Sequence, residues 1–206
     1  MGHYLMNNNS PRHISLIPIL EVDSNIQSRV RDIRNEDAVR KWMYTDHFIS
    51  EDEHLAWLDQ LRIDSKQRVF VVLNEDNNPL GAVSVNALDR RHRKSDWAFY
   101  LTSTSRGGMG AALEFAFIDF VFDTLALEKL NCEVLEGNDS VVKLHKKFGF
   151  VEEGFRRSNI IKEGRRIGVH LLGLLNCEWR TSRQAIYDKY KSRFDQFTFS
   201  ISFNRE

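Results

Sequence analysis

The chain has 206 residues, 42% of them hydrophobic, enough to close one sizeable core and too few for two comfortable domains. Lys plus Arg (29) equals Asp plus Glu (29), so no long-range field draws it to nucleic acid or to an anionic membrane. The opening MGHYLMNNNSPRH has no apolar run fit for a signal peptide, and nowhere do ~18 consecutive apolar residues occur, which leads us to expect a soluble cytoplasmic protein.

Ile14–Leu20 reads as an opening strand, placed at a sheet edge because Pro18 has no N–H to donate to a ladder. Asp23 or Ser24 then caps a helix toward Arg34, and the chain reads as helical again from Glu36 to Met43. Ser50-Glu51-Asp52-Glu53 is a capping box, Ser first and an acid three residues on, for a helix through His54, Trp57 and Leu61. Arg68–Leu73 and Leu80–Ala87 are β-branched segments around the turn Asn74 to Pro79, a hairpin giving strands two and three. Asp96–Leu101 is a fourth strand that runs into Thr102 to Gly110, from which Leu113, Phe117, Phe120 and Val121 recur at helical spacing as far as Leu125. Lys129–Leu135 is a fifth strand, Ser140–Phe148 a short helix, and Val151–Ile161 with Arg166–Leu175 a closing hairpin through Glu163-Gly164.

Trp179–Arg193 reads as a helix, and Phe194–Phe203 alternates apolar with polar residues as a half-buried strand does. That last strand needs a partner, either the edge of the same sheet or a second subunit as in a homodimer. Cys132 and Cys177 sit in apolar sequence without partners at ligand spacing, which argues for reduced thiols and against a metal site. The basic runs Arg90 to Lys94 and Arg165-Arg166 are short enough to be solvated loops, or else an anion-binding rim.

A strand, a turn with glycines at 107, 108 and 110, and a helix together form a cradle for an anion: the backbone approaches closely and the unpaired N–H groups of the helix start point outward. The alternative is a plain tight turn. The turn lacks the Lys-Ser/Thr of a triphosphate loop and does not open a dinucleotide-binding βαβ unit.

Arg106-Gly-Gly-Met-Gly-Ala111 after the fourth strand and Asn138 to Phe150 after the fifth resemble the general N-acetyltransferase (GNAT) superfamily over about residues 14–176, leaving 177–206 as a C-terminal extension of a single 1–206 domain. Against that superfamily's Gln/Arg-x-x-Gly-x-Gly/Ala signature, Gly108 and Gly110 fall on the small positions while Ser105 stands first, with Arg106 one place late. Arg34-Asn35, Arg40 to His47, Lys129 to Glu136 and Val142 to Phe150 are similar to the N-acetyltransferases of pseudaminic-acid biosynthesis, which acetylate a UDP-linked 4-amino-4,6-dideoxy sugar for protein (flagellin) glycosylation.

The resemblance implies an α/β fold whose mixed, mostly antiparallel sheet is splayed between strands four and five, with acetyl-CoA as acetyl donor and its pantetheine arm lying between the two strands. It puts the backbone of Phe99, Tyr100 and Leu101 on pantetheine, the N–H groups of Arg106, Gly107, Gly108, Met109, Gly110 and Ala111 on pyrophosphate, and Asn138 and Lys146 against the cofactor. Asn138 is also a good helix N-cap. Arg34, Met43, Tyr44, His47, His54 and Trp57 would wall the sugar pocket, Arg34 meeting a diphosphate, unless these aromatics are simply core. His145 stands where many members carry the tyrosine that protonates the leaving thiolate; it is either that acid or a lining residue. Glu133 alternates with apolar Cys132 and Val134 and is either the carboxylate that handles the amine's proton or a cross-strand partner of a Lys or Arg. Two further readings stay open: a GNAT enzyme acting on a protein N-terminus or another small amine, and a non-catalytic acyl-CoA-binding regulator.

Overall fold

The computed structural model describes residues 10–105 and 108–203. One eight-stranded sheet runs through it, its strands in the order β6-β7-β5-β4-β3-β2-β1-β8. β1 (Arg12–Pro18) leads to α1 (Ser24–Asn35), the short α2 (Asp37–Arg40) and α3 (Glu51–Ile63). β2 (Arg68–Leu73), β3 (Pro79–Asp89) and β4 (Lys94–Leu101) form an antiparallel meander. α4 (Met109–Asp119) passes into a π-helical turn at Phe120–Thr124 and returns the chain to β5 (Lys129–Leu135), which lies parallel to β4. α5 (Asp139–Lys147), the hairpin β6 (Val151–Lys162) and β7 (Arg165–Leu175), α6 (Asn176–Phe194) and β8 (Phe197–Ile201) complete it.

Local signals act where expected. Asp23 accepts from Ile26 N at 2.9 Å to start α1, and the reciprocal Ser50–Glu53 bonds start α3. Alternate residues of the strands serve opposite faces. Phe70, Val72, Val83, Val85, Trp97 and Cys132 pack toward α4 and α6, while Val69, Val71, Leu73 and Ala82 pack toward α1 and α3.

Three expectations change. β1 is not an edge: β8 pairs with it in parallel from Arg12 to Leu16, so the C-terminal strand finds its partner in the same sheet. Pro18 is tolerated because β8 has ended before it is reached. The helix expected through Met43 stops at Arg40, and the chain continues as a loop held by tertiary bonds. Cys177 is exposed rather than set in an apolar environment. No helix among the described residues is long and apolar enough to cross a membrane.

Candidate active site

β4 and β5 are paired only at their first three rungs, Lys94–Lys129, Ser95–Leu130 and Asp96–Asn131. Asn131 Nδ2 donates to Asp96 Oδ1 at 3.1 Å on the last of these. Beyond it the strands part. The facing edges of Trp97 to Leu101 and Cys132 to Leu135 bond to β3 and β7 on their outer sides and not to each other. A cavity of about 860 Å³ occupies the gap, walled by residues of both faces of the sheet.

On the α1/α3 side the wall includes Arg34, Met43, Tyr44, His47, His54 and Trp57, and all six expected acceptor residues therefore meet. The loop carrying three of them is pinned from two directions. Asn35, at the end of α1, exchanges two hydrogen bonds with the backbone of Ile49, at 2.9 and 2.8 Å. From β6, Lys162 Nζ donates to the carbonyls of Arg40 and Met43 at 3.2 and 2.7 Å, while Glu163 N donates to Asp46 at 3.0 Å. Burial pulls the Lys162 ammonium pKa below its ordinary value, while the Asp46 carboxylate opposes the shift.

Two guanidinium nitrogens in this wall, Arg31 Nε and Arg34 Nη1, are buried without a hydrogen-bond partner, although Arg34 Nη2 donates to Thr45 Oγ1 at 2.5 Å. Burial lowers the Arg34 pKa, and the neighbouring phenol of Tyr100 works the other way. His54 is likewise buried with Nε2 unpartnered, and burial followed by the Arg31 charge pushes its imidazole down toward the neutral form. Glu133 projects from β5 toward the same side. It accepts from the Tyr44 hydroxyl and, at 2.6 Å, from Arg156 Nη1, so the cross-strand cation does exist alongside the contact to the acceptor wall.

On the α4 side the wall includes Trp97, Phe99, Cys132, Val141 and His145. Trp97, Phe99 and Phe150 surround the His145 ring at centroid distances of 5.4, 6.5 and 5.3 Å. Its Nδ1 lies 2.7 Å from Oε1 of Glu114, a fully buried acid on α4 that reading the sequence missed. The signal for it was a carboxylate in the middle of the apolar run from Met109 to Ile118.

Asn138 is buried and lines the cavity, and its side chain makes no capping bond to α5; it takes only a 3.3 Å bond from Ser140 Oγ. Asn138 does stand at the N-cap position of α5, its carbonyl accepting from Val142 N at 3.2 Å, and its side chain is left for the cavity. Arg106 and Gly107 lie outside the described residues. Gly108, at φ +87°, is the left-handed residue that turns the chain into α4, and the N–H groups of Met109, Gly110 and Ala111 begin the helix without intrahelical acceptors. The end of β4 abuts this start: a Cβ on Gly110 would stand 3.7 Å from Phe99 and 3.8 Å from Leu101. Met109 also lines a smaller hollow of about 300 Å³ with Leu80, Thr104 and Ser105. Lys146 is not brought to the cavity; it pairs with Glu152 at 2.6 Å on the surface.

A splayed parallel pair followed by a glycine-started helix is one observation, and the family model for the acetyltransferase (GNAT) domain matches residues 21–151, a span that holds both. The chain belongs to the GNAT acetyltransferase family. It is accordingly an N-acetyltransferase, and acetyl-CoA is its acetyl donor. This GNAT chain is 24% identical over 151 residues to the spermidine N(1)-acetyltransferase of Vibrio cholerae, covering 73% of this chain and 87% of that one. It is 25% identical over 131 residues to an SPbeta prophage-derived uncharacterized N-acetyltransferase, YokL, of Bacillus subtilis, covering 63% and 73%. Among solved structures, the V. cholerae spermidine N-acetyltransferase in complex with CoA and spermine superposes with a TM-score of 0.74 at 22% identity, covering 81% of this chain and 98% of that one. None of these three names a nucleotide sugar.

The GNAT donor fits the residues present. The parted edges of β4 and β5 offer unpaired main-chain groups to the amides of a pantetheine arm, and the first N–H groups of α4, which have no acceptor within the helix, suit phosphate oxygens.

Proposed function

We propose that the chain transfers the acetyl group of acetyl-CoA to the 4-amino group of a UDP-linked 4-amino-4,6-dideoxy sugar, a reading that starts from the sequence resemblance at Arg34-Asn35, Arg40 to His47 and Lys129 to Glu136. The observation that carries it over a polyamine acceptor is the pair of orphaned guanidinium nitrogens, Arg31 Nε and Arg34 Nη1, in the acceptor wall. Buried donors without acceptors are costly, and an anionic acceptor relieves them, whereas a polycation adds charge repulsion. Met43, Tyr44 and Trp57 supply apolar faces against which a deoxy-sugar methyl group packs.

The residues then divide the chemistry. Glu133, held between Tyr44 and Arg156, orders the water that removes the amine's proton. His145, on the opposite side of the gap, supplies a proton at the sulfur as the thioester bond opens. The backbone of Phe99, Tyr100 and Leu101 and the N–H groups of Met109 to Ala111 hold the donor, with Asn138 beside them. Binding both reactants across one gap makes the attack effectively intramolecular.

The test is thiol release from acetyl-CoA with a panel of amines. Turnover with the UDP-4-amino-4,6-dideoxy sugar above that with spermidine, spermine or ribosomal-protein N-terminal peptides supports the reading. Turnover with spermidine or a peptide and none with the sugar replaces it.

A further inference from the structure

Glu114 has no part in the chemistry assigned so far, and a carboxyl group with no exposed surface is costly to keep where it is. It sits on α4 among Leu113, Phe115 and Phe117, with no exposed surface, and its Oε2 is buried without a partner. An acid in such a place is retained only for what it holds, and it holds His145 Nδ1 at 2.7 Å. The other groups facing the pair are nearly all apolar: the rings of Trp97 and Phe99 from β4, Phe150 after α5, and the Cys132 thiol from β5. Burial, with Glu114 adding to it, pushes that thiol well up, so it stays neutral. Asp96 of β4 and Glu133 of β5 bond to groups elsewhere, and Lys146 and Lys147 of α5 are exposed.

We propose that Glu114 is a positioning residue for acetyl transfer, holding Nδ1 of His145 so that the proton the ring presents to the cavity is on Nε2. The proposal rests on the reading of His145 as the acid. In a pair with no net charge, one proton lies between Oε1 and Nδ1 and the other is on Nε2. This is true whether the shared proton resides on the carboxyl or on the ring. Burial raises the Glu114 carboxyl pKa, with the His145 charge opposing it, which favours keeping a proton on the Oε1–Nδ1 bond. As the amine nitrogen bonds to the acetyl carbon, the carbon–sulfur pair of electrons goes to sulfur, which takes the Nε2 proton. The amine gives one proton to water beside Glu133, and the Glu114–His145 pair regains its own from solvent.

The first measurement is long-range nitrogen–proton NMR of the His145 ring in the full, ligand-free chain, compared with Glu114→Gln. The parent is expected to show Nε2 protonated at pH 7. In Glu114→Gln, whose amide can donate or accept, both tautomers are expected. A bare Nε2 in the parent, or an unchanged tautomer in the variant, overturns the proposal, and the parent spectrum decides even if the variant does not fold. The second measurement is kinetic. Glu114→Gln should lower kcat roughly 10- to 100-fold at unchanged affinity for acetyl-CoA and move the high-pH limb of kcat to lower pH. In a His145→Gln background the same substitution should change kcat by less than about twofold, because both act through one proton. An equal fall in that background shows a packing role and overturns the proposal. A tautomer change with His145→Gln at full speed overturns instead the acid reading on which it rests.

Discussion

The hydroxyl of Tyr44, on the loop after α2, donates to the carboxylate of Glu133 in the middle of β5, while Arg156 of β6 donates to its other oxygen at 2.6 Å. The acceptor loop and the splayed strand thus meet at one acid. Burial first, and then this bond, push the Tyr44 phenol far above its ordinary pKa, so it acts as a donor throughout the working pH range.

Removing that acid should separate chemistry from binding. Glu133→Gln is expected to lower kcat roughly 10²-fold while leaving acetyl-CoA affinity within about twofold, because the carboxylate bonds to Tyr44 and Arg156 and the proposed donor contacts are main-chain groups. Tyr44→Phe deletes one donor to it and should cost roughly tenfold or less. Steady-state kinetics and acetyl-CoA titration by calorimetry check both; a lost donor affinity in Glu133→Gln contradicts the assignment.

Arg34 separates the acceptor classes. Arg34→Met removes the orphaned guanidinium and should raise the KM for a phosphate-bearing amino sugar roughly 10- to 100-fold, the equivalent of about 1.5–3 kcal/mol for a lost charge-assisted hydrogen bond. KM for spermidine, if it is turned over at all, should stay the same or fall. The two KM ratios, measured side by side, are the readout.

His54 makes stability depend on pH. Its folded-state pKa is lowered, chiefly by burial, so between that lowered value and the ordinary ~6.5 the unfolded chain binds a proton that the folded chain does not. Stability therefore rises with pH through that window, is complete above ~6.5, and is lost as pH falls below it. Melting temperatures from pH 5 to 8 should show this slope, and His54→Gln should flatten it relative to the parent.

Gly81 tests the frame of the gap. A Cβ there would stand 2.0 Å from the carbonyl oxygen of Tyr100, and backbone cannot yield as a flexible side-chain end does. Gly81→Ala should cost ~1–3 kcal/mol or more and disturb the end of β4 that borders the cavity. Denaturant unfolding gives the first; a weakened acetyl-CoA response of the folded fraction gives the second.

Much of the architecture was legible because its signals are local. Ser50 and Glu53 announce α3 by reciprocal bonds three residues apart, and the alternation in Lys129 to Leu135 places Glu133 opposite Cys132 and Val134 whatever surrounds the strand. Pro18 misled because the edge rule concerns a donor that must find an acceptor, and whether an acceptor strand reaches residue 18 depends on where β8 ends, more than 180 positions away. Residues 41 to 43 read as helix because the bonds that hold the loop they open come from Asn35, Lys162 and Glu163, none of which that loop's own sequence contains.

By itself, then, the amino-acid order determined most element types, the two-faced strands, and the glycine that turns β4 into α4, because propensity, capping and alternation act within a few residues. Only the folded chain decided that β4 and β5 part after three rungs, that Glu133 is held between Tyr44 and Arg156, and that Glu114 meets His145. Each of those depends on distances between segments 23 to 89 positions apart along the chain. Such distances are fixed by how a common core packs, and no short-range rule encodes them.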